Sequence, residues 1–323
     1  MSLPKSILIT SASGKIGRHL VPLLLAQSPQ PTLVLPTRNA ENLKSALPSI
    51  SKAEQNVVLP EGSVKDPLWV ESLLKDNKVD TVFLCLTGID EMSTALLCLD
   101  AIRRVPTVKN LIYLSSIGDF TSETGFKEAV RTRPIPRQLA KAVVEQRLLH
   151  GPFEFKWTVL GPTVFFANDY MQKTNIMAKG ELAGLSPHGI SRIALSDIAI
   201  AARNAMYDTT GTWHRKKVQL GTKKLYTGAE FAEIWSKALG KPVKGVYITP
   251  EGAAEAEQLL RRVIPGDAGL DLARSQRLLF ESLLASGISM TDAEYQDQIK
   301  LLGKEPDRFE SWVEETARIW LQE

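Results

Sequence analysis

The chain has 323 residues, 44% of them hydrophobic, with 39 basic against 36 acidic side chains and a formal net charge of +3. This is apolar material enough for two domains or one large α/β unit, and the basic residues come in pairs such as Lys216-Lys217 and Arg261-Arg262, not in the blocks of a nucleic-acid-binding surface. No apolar run approaches the roughly 20 residues that span a bilayer, and the N-terminus lacks the basic, apolar and small-residue order of a signal peptide. A small-molecule ligand, no nucleic-acid or membrane partner and a cytoplasmic location are expected. Cys85, Cys98 and the four histidines show no ligand spacing, so two buried thiols and no metal are expected as well.

In chain order, the first apolar run, Ile7 to Thr10, feeds Ser11-Ala12-Ser13-Gly14-Lys15-Ile16-Gly17. A helix follows from about Gly14 to Gln27, with Ile16, Leu20, Leu23 and Leu24 on one side. As strand, turn and helix, this is a phosphate-binding crossover. Gly14 lets the backbone approach a pyrophosphate, Gly17 lets the helix pack close to the sheet, and amides at the helix start face the anion. Ser11, Ser13, Gly14, Lys15 and Ile16 are therefore candidate cofactor contacts. Ser11 stands where the usual fingerprint has its first glycine, so the turn alone is a weak motif. The second strand, Leu33 to Leu35, leads to Arg38 at the place that reads the ribose. A guanidinium there pairs with a 2′-phosphate, which favours NADP(H) over NAD(H).

Further strands are expected at Asn56 to Leu59, Thr81 to Leu86, Asn110 to Leu114 and Trp157 to Leu160, separated by helical patterns. Such Val-, Ile- and Leu-rich strands are covered on both faces, which predicts a doubly wound parallel Rossmann sheet. Ligands in such sheets lie beyond the strand ends, which singles out Leu86 and Thr87 after the fourth strand and Ser115 and Ser116 after the fifth. The stretch between Gly118 and Pro136 is either a lid or a solvated loop with a short helix. The helix from Pro136 to His150 is expected to turn Leu139, Val143 and Leu148 to the sheet. After about Asn168 helices predominate, with start signals at Ser196-Asp197, Thr249-Pro250 and Thr291 to Glu294. The expected division is a cofactor domain over 1–165 and a small, mainly helical substrate-binding region over 166–323, packed on the sheet's carboxyl edge.

These residues carry a family resemblance. The turn, Arg38, Gly62-Ser63-Val64-Lys65-Asp66, Ser115-Ser116, Lys141 with Glu145, and Gly161-Pro162-Thr163-Val164-Phe165-Phe166-Ala167-Asn168 together resemble the NmrA-like atypical short-chain dehydrogenase/reductases abundant in fungi. Ser196-Asp197-Ile198-Ala199, Leu225 to Ala232 and Leu239-Gly240-Lys241-Pro242-Val243 extend the pattern over nearly the whole chain. The resemblance implies NADP(H) as ligand, Val64 among its contacts, and Lys141 in the family's lysine position. Classical members place a tyrosine four residues before that lysine as the acid; here Arg137 stands there, a charged group that donates protons poorly. The serine of the classical set survives as Ser115 or Ser116.

Two roles follow for Lys141. With Arg137 one turn away lowering its pKa, it is an acid or base near neutral pH; alternatively it binds the nicotinamide ribose and pairs with Glu145 across a turn. Phe165, Phe166 and Tyr170, with Asn168 as donor and acceptor, are expected either to wall a pocket for a planar molecule or to pack the core. Three functions remain open: an NADPH-dependent reductase of a small aromatic or conjugated carbonyl or imine compound, as in fungal secondary metabolism; an NADP-binding redox-sensing regulator without turnover; and a non-redox lyase, isomerase or cyclase on the same scaffold.

Overall fold

A computed structural model describes residues 2–86, 90–132, 135–247 and 249–323. In chain order its first part contains β1 (Ser6–Ile9), α1 (Gly17–Leu25), β2 (Thr32–Val34), α2 (Ala40–Ala46), β3 (Val57–Val58), α3 (Pro67–Asp76), β4 (Thr81–Leu84), α4 (Glu91–Arg103), β5 (Asn110–Leu114), α5 (Glu123–Thr132), α6 (Pro136–His150) and β6 (Lys156–Pro162). There follow β7 (Val164–Phe165), β8 (Glu181–Leu185), β9 (Arg192–Ile193), α7 (Leu195–Met206), β10 (Lys216–Leu220), α8 (Gly228–Leu239), β11 (Lys244–Tyr247), α9 (Pro250–Val263), α10 (Gly266–Ala285), α11 (Asp292–Leu302) and α12 (Phe309–Gln322). The chain divides into two units, one of residues 1–129, 138–161 and 195–218, the other of residues 130–137, 162–194 and 219–323.

The first unit is built on the expected doubly wound sheet. Its strand order is β10-β6-β5-β4-β1-β2-β3, and β3 through β6 pair in parallel. Every residue of β1 and β4 is buried, as strands covered on both faces require. The order reverses between β1 and β4, the place where such sheets open a crevice beyond their carboxyl ends.

Two features differ from the sequence reading. A seventh strand, β10, joins the sheet beside β6, and α7 packs against α1 and β5. The sequence reading missed β10 because it opens with two lysines and has only Val218, Gln219 and Leu220 buried. On α6 the buried residues are Ala142, Val144, Glu145 and Leu148, whereas Val143 is exposed and Leu139 half-buried. The face is rotated from the expected one because Glu145, a polar residue, occupies a position on the buried stripe. Cys85 and Cys98 are both buried free thiols.

The second unit holds an aromatic core of Phe166, Tyr226, Phe231, Trp235, Phe309 and Trp320. Trp235 and Trp320 stack with ring centroids 4.7 Å apart, and Phe231 meets Phe309 edge to face at 5.2 Å. Short strand pairs, β11 with β8 and β7 with β9, accompany the helices. Two of the three expected helix starts form as read: Thr249 accepts from the Gly252 amide, and Thr291 with Glu294 makes a reciprocal capping box, whereas Ser196 and Asp197 lie inside the first turn of α7, which begins at Leu195.

Candidate functional site

The turn after β1 is shaped by backbone close to backbone. Ser11 adopts φ +55°, the left-handed conformation that suits a glycine, and its hydroxyl donates to the Cys85 carbonyl at 2.9 Å. The Gly14 amide closes the turn on the Ser11 carbonyl at 2.9 Å. A Cβ on Gly17 would sit 2.2 Å from the Ala12 carbonyl oxygen, so only glycine lets α1 approach this strand end. Ile16 caps α1 without a side-chain acceptor, and the amides of Lys15, Ile16 and Gly17 donate to no carbonyl among the described residues. Such a helix start is an anion site in waiting. Ser11, Ser13 and Lys15 are exposed around it, and Ile16 is buried beneath.

Arg38 lies exposed past β2, with no carboxylate at ion-pair distance among the described residues. Its acidic neighbour Glu61 is committed elsewhere, accepting from the Ala40 amide at 2.7 Å beside the Asn39 cap of α2. Val64 is half-buried against the core and Leu86 is buried in it, so backbone is what they offer a ligand. Thr87 lies outside the described residues.

At the carboxyl end of β5 the structure assembles a buried polar network. The Lys141 ammonium donates to Glu91 at 2.5 Å and to the Leu114 carbonyl at 3.2 Å, next to Ser115. Glu145 does not pair with Lys141. It is fully buried, accepts from the Ser115 hydroxyl, and accepts from the Lys217 ammonium of β10 at 2.8 Å. Burial, the largest influence, pushes the Glu145 carboxyl upward against the opposing pull of Lys217, Ser115 and Lys141. Lys217 also stands over the Phe120 ring at 4.2 Å. Tyr113, two residues before Ser115 on β5, has its phenol pushed well up by burial and by Glu91 and Glu145. The Ser116 hydroxyl is buried with no hydrogen-bond partner among the described residues.

Arg137 is held by Asp271, at 3.2 Å from Nε and 3.1 Å from Nη2. Arg137 and Lys141, one turn apart on α6, are thus held by different carboxylates, Asp271 and Glu91. Phe166 is fully buried, in edge contact with Phe309 at 5.1 Å, so its ring packs the core and presents no wall. Phe165 and Asn168 are half-buried, while Tyr170 is exposed along one side and sets its ring against Trp312 at 5.5 Å and Trp320 at 6.0 Å.

Glu91 and Lys217 escaped the sequence reading. Glu91 opens an amphipathic helix and reads as a first-turn acid stabilising a helix dipole, and Lys217 sits in an unrecognised strand. Only three-dimensional pairing reveals either one.

A family model described as the NmrA-like family matches residues 4–313. The chain is 25% identical over 252 residues to an NAD(P)H azoreductase of Xenophilus azovorans, an alignment covering 77% of this chain and 79% of that protein. It is similar to Citrobacter sp. triphenylmethane reductase complexed with NADP(H), with a TM-score of 0.72 at 17% identity over 97% of this chain and 99% of that one. It is also similar to NmrA, a negative transcriptional regulator, with a TM-score of 0.73 at 17% identity over 98% and 96% of the respective chains. The two structural likenesses show the fold, and the family model covers nearly the whole sequence: the chain belongs to the NmrA-like family.

Proposed function

We propose that this protein is an NADP(H)-dependent reductase of a small aromatic or conjugated carbonyl or imine compound. The observation that carries the reading is the turn from Ser11 to Gly17, where uncapped amides, a glycine no side chain can replace and the exposed Arg38 at the neighbouring strand end fit a phosphorylated dinucleotide. The relative named an NAD(P)H azoreductase and the neighbour solved with NADP(H) support it.

In this reading the amides of Lys15, Ile16 and Gly17 hold the pyrophosphate, with Ser11, Ser13 and Gly14 along the turn, and Arg38 takes the 2′-phosphate. Val64 and Leu86 contribute backbone. Lys141, fixed by Glu91 and the Leu114 carbonyl, holds a ribose hydroxyl. When bound, the cofactor supplies a hydride; the protein's part is to orient the acceptor and deliver a proton. Tyr170, Phe165 and Asn168 are the substrate-facing group, with Phe166 supporting them from the core.

A second reading, a redox-sensing regulator that binds NADP(H) without turnover, has one specific observation in its favour. The place of the family's tyrosine is occupied by an arginine bound to Asp271, so no phenol stands there to give a proton.

Titration with NADPH and NADH, with Arg38→Ala alongside, tests the common premise. Loss of a charge-assisted contact is expected to weaken NADPH about 10- to 100-fold and leave NADH nearly unchanged. Oxidation of NADPH on addition of quinones, azo compounds or conjugated imines then supports the reductase; tight binding with no oxidation supports the regulator; no dinucleotide binding sinks both.

A further inference from the structure

We propose that Glu145 is the proton reservoir of the site: its carboxyl group passes a proton through the Ser115 hydroxyl to a ligand atom at the carboxyl end of β5, and Lys217 holds the carboxylate left behind. This rests on the reductase reading, which needs a proton for every hydride and has an arginine, Arg137, where the family's tyrosine would give it.

The geometry is that of a relay. Ser115 directly follows β5, at the strand end where ligands of such sheets lie, and its hydroxyl is bonded to Glu145 Oε1. That bond has two senses. With Glu145 ionised the serine proton points at the carboxylate, and the ligand is offered only a lone pair. With Glu145 protonated the carboxyl donates to Ser115, whose own proton is then available. The second oxygen, Oε2, is buried without a hydrogen-bond partner among the described residues, a position better suited to a neutral carboxyl than to a full carboxylate. Burial acts on the group in the same sense.

The surrounding charges set the balance. Lys217 from β10 touches Glu145 directly at 2.8 Å, Lys141 lies one turn earlier on α6 with its ammonium paired to Glu91 of α4, and Tyr113 of β5 is a buried phenol close by. The Lys217 side chain is only 5% exposed, so the carboxylate formed after transfer has a partner already in place. In the forward step hydride adds to the ligand's carbon, the C=O or C=N π bond breaks and its electron pair moves to the heteroatom, and that atom takes the Ser115 proton as the Ser115 O–H bond breaks. The Glu145 O–H bond breaks as Ser115 is reprotonated, and solvent later restores the acid.

The test reads the carboxyl group itself as well as turnover. In protein labelled with carbon-13 at glutamate side-chain carboxyls and free of dinucleotide, the signal lost in Glu145→Gln is expected to titrate above the ordinary glutamate range of about 4.3, and to move higher still in Lys217→Met. With saturating NADPH and a reducible quinone or azo compound, Ser115→Ala and Glu145→Gln are expected to slow a single turnover at least 100-fold, with NADPH affinity kept within about twofold. The wild-type rate is expected to fall as pH rises through the carboxyl's own midpoint. If Glu145→Gln fails to fold, Ser115→Ala assigns the resonance by its shift and breaks the relay while leaving the acid in place. A carboxyl that titrates in the ordinary range, or turnover untouched in Ser115→Ala, overturns the relay and leaves the reductase standing. Absence of NADPH binding or oxidation overturns the reductase reading and, with it, the relay's role.

Discussion

Arg192 and Asp169 form a buried, two-pronged ion pair, Nη1 to Oδ2 at 3.1 Å and Nη2 to Oδ1 at 2.7 Å. The guanidinium lies over the rings of both Phe231 and Phe309, at 4.9 and 4.6 Å, and also donates to the Phe165 carbonyl at 2.7 Å. Asp169 accepts in addition from the Trp235 indole at 3.0 Å. One ion pair thus ties the segment bearing Phe165 to Tyr170 to the aromatic core of its unit.

Breaking this pair from one side is expected to cost about 3–5 kcal/mol, because the remaining charge stays buried without its partner. Asp169→Leu and Arg192→Met should each lower the urea midpoint strongly, and the double variant should lose much less than the sum of the two. Additive losses would show that the flanking rings, not the charges, hold the segment.

At the turn after β1, Gly17→Ala places a methyl group 2.2 Å from the Ala12 carbonyl oxygen. Overpacking of this kind costs about 1–3 kcal/mol, and relief requires α1 to withdraw from the strand end. Thermal unfolding should shift downward and NADPH affinity should fall together. A variant with full stability and unchanged affinity would show that this turn is not what holds the cofactor.

The two cysteines should resist alkylation in the native protein at neutral pH. Burial pushes the Cys85 thiol up to about 11 and Cys98 up to about 12, from an ordinary value near 9.0, so neither is a thiolate there. Both should react fully in denaturant. The sign of the linkage follows: the folded state binds these protons more tightly than the unfolded chain, so their contribution is complete below about pH 9 and is lost as pH rises through about 11 to 12. Replacing both by Ala should flatten that alkaline decline in a stability-versus-pH series; an unchanged decline would assign it to other groups.

The sheet could be read from sequence because its strands are continuous apolar runs, and such runs announce themselves one at a time. Ile7 to Ile9 and Thr81 to Leu84 needed no partner to be recognised. The turn was legible too, since Gly14 and Gly17 are local requirements of backbone approach. Charge pairing is different in kind. Lys141 has Glu145 one turn away on its own helix, yet binds Glu91 from α4, while Glu145 is matched by Lys217 from a strand far along the chain. Helical spacing lists the partners a lysine can reach locally, and packing decides among those it meets only after folding. Phe166 teaches the same lesson: its place beside Asn168 suggests a pocket, and its burial depends on Phe309, which no local pattern connects to it.

The position of β10 has a consequence for any shortened form of the protein. A fragment ending at Pro162 contains every strand from β1 to β6 and the whole glycine turn, yet it leaves β6 as a bare sheet edge and deprives Glu145 of its counter-ion. Such a fragment exposes unpaired backbone donors and acceptors along its outermost strand, the template on which separate chains add to one another. The piece that looks most like a self-sufficient nucleotide-binding module is therefore expected to aggregate, and the smallest soluble version of this sheet must extend through Leu220.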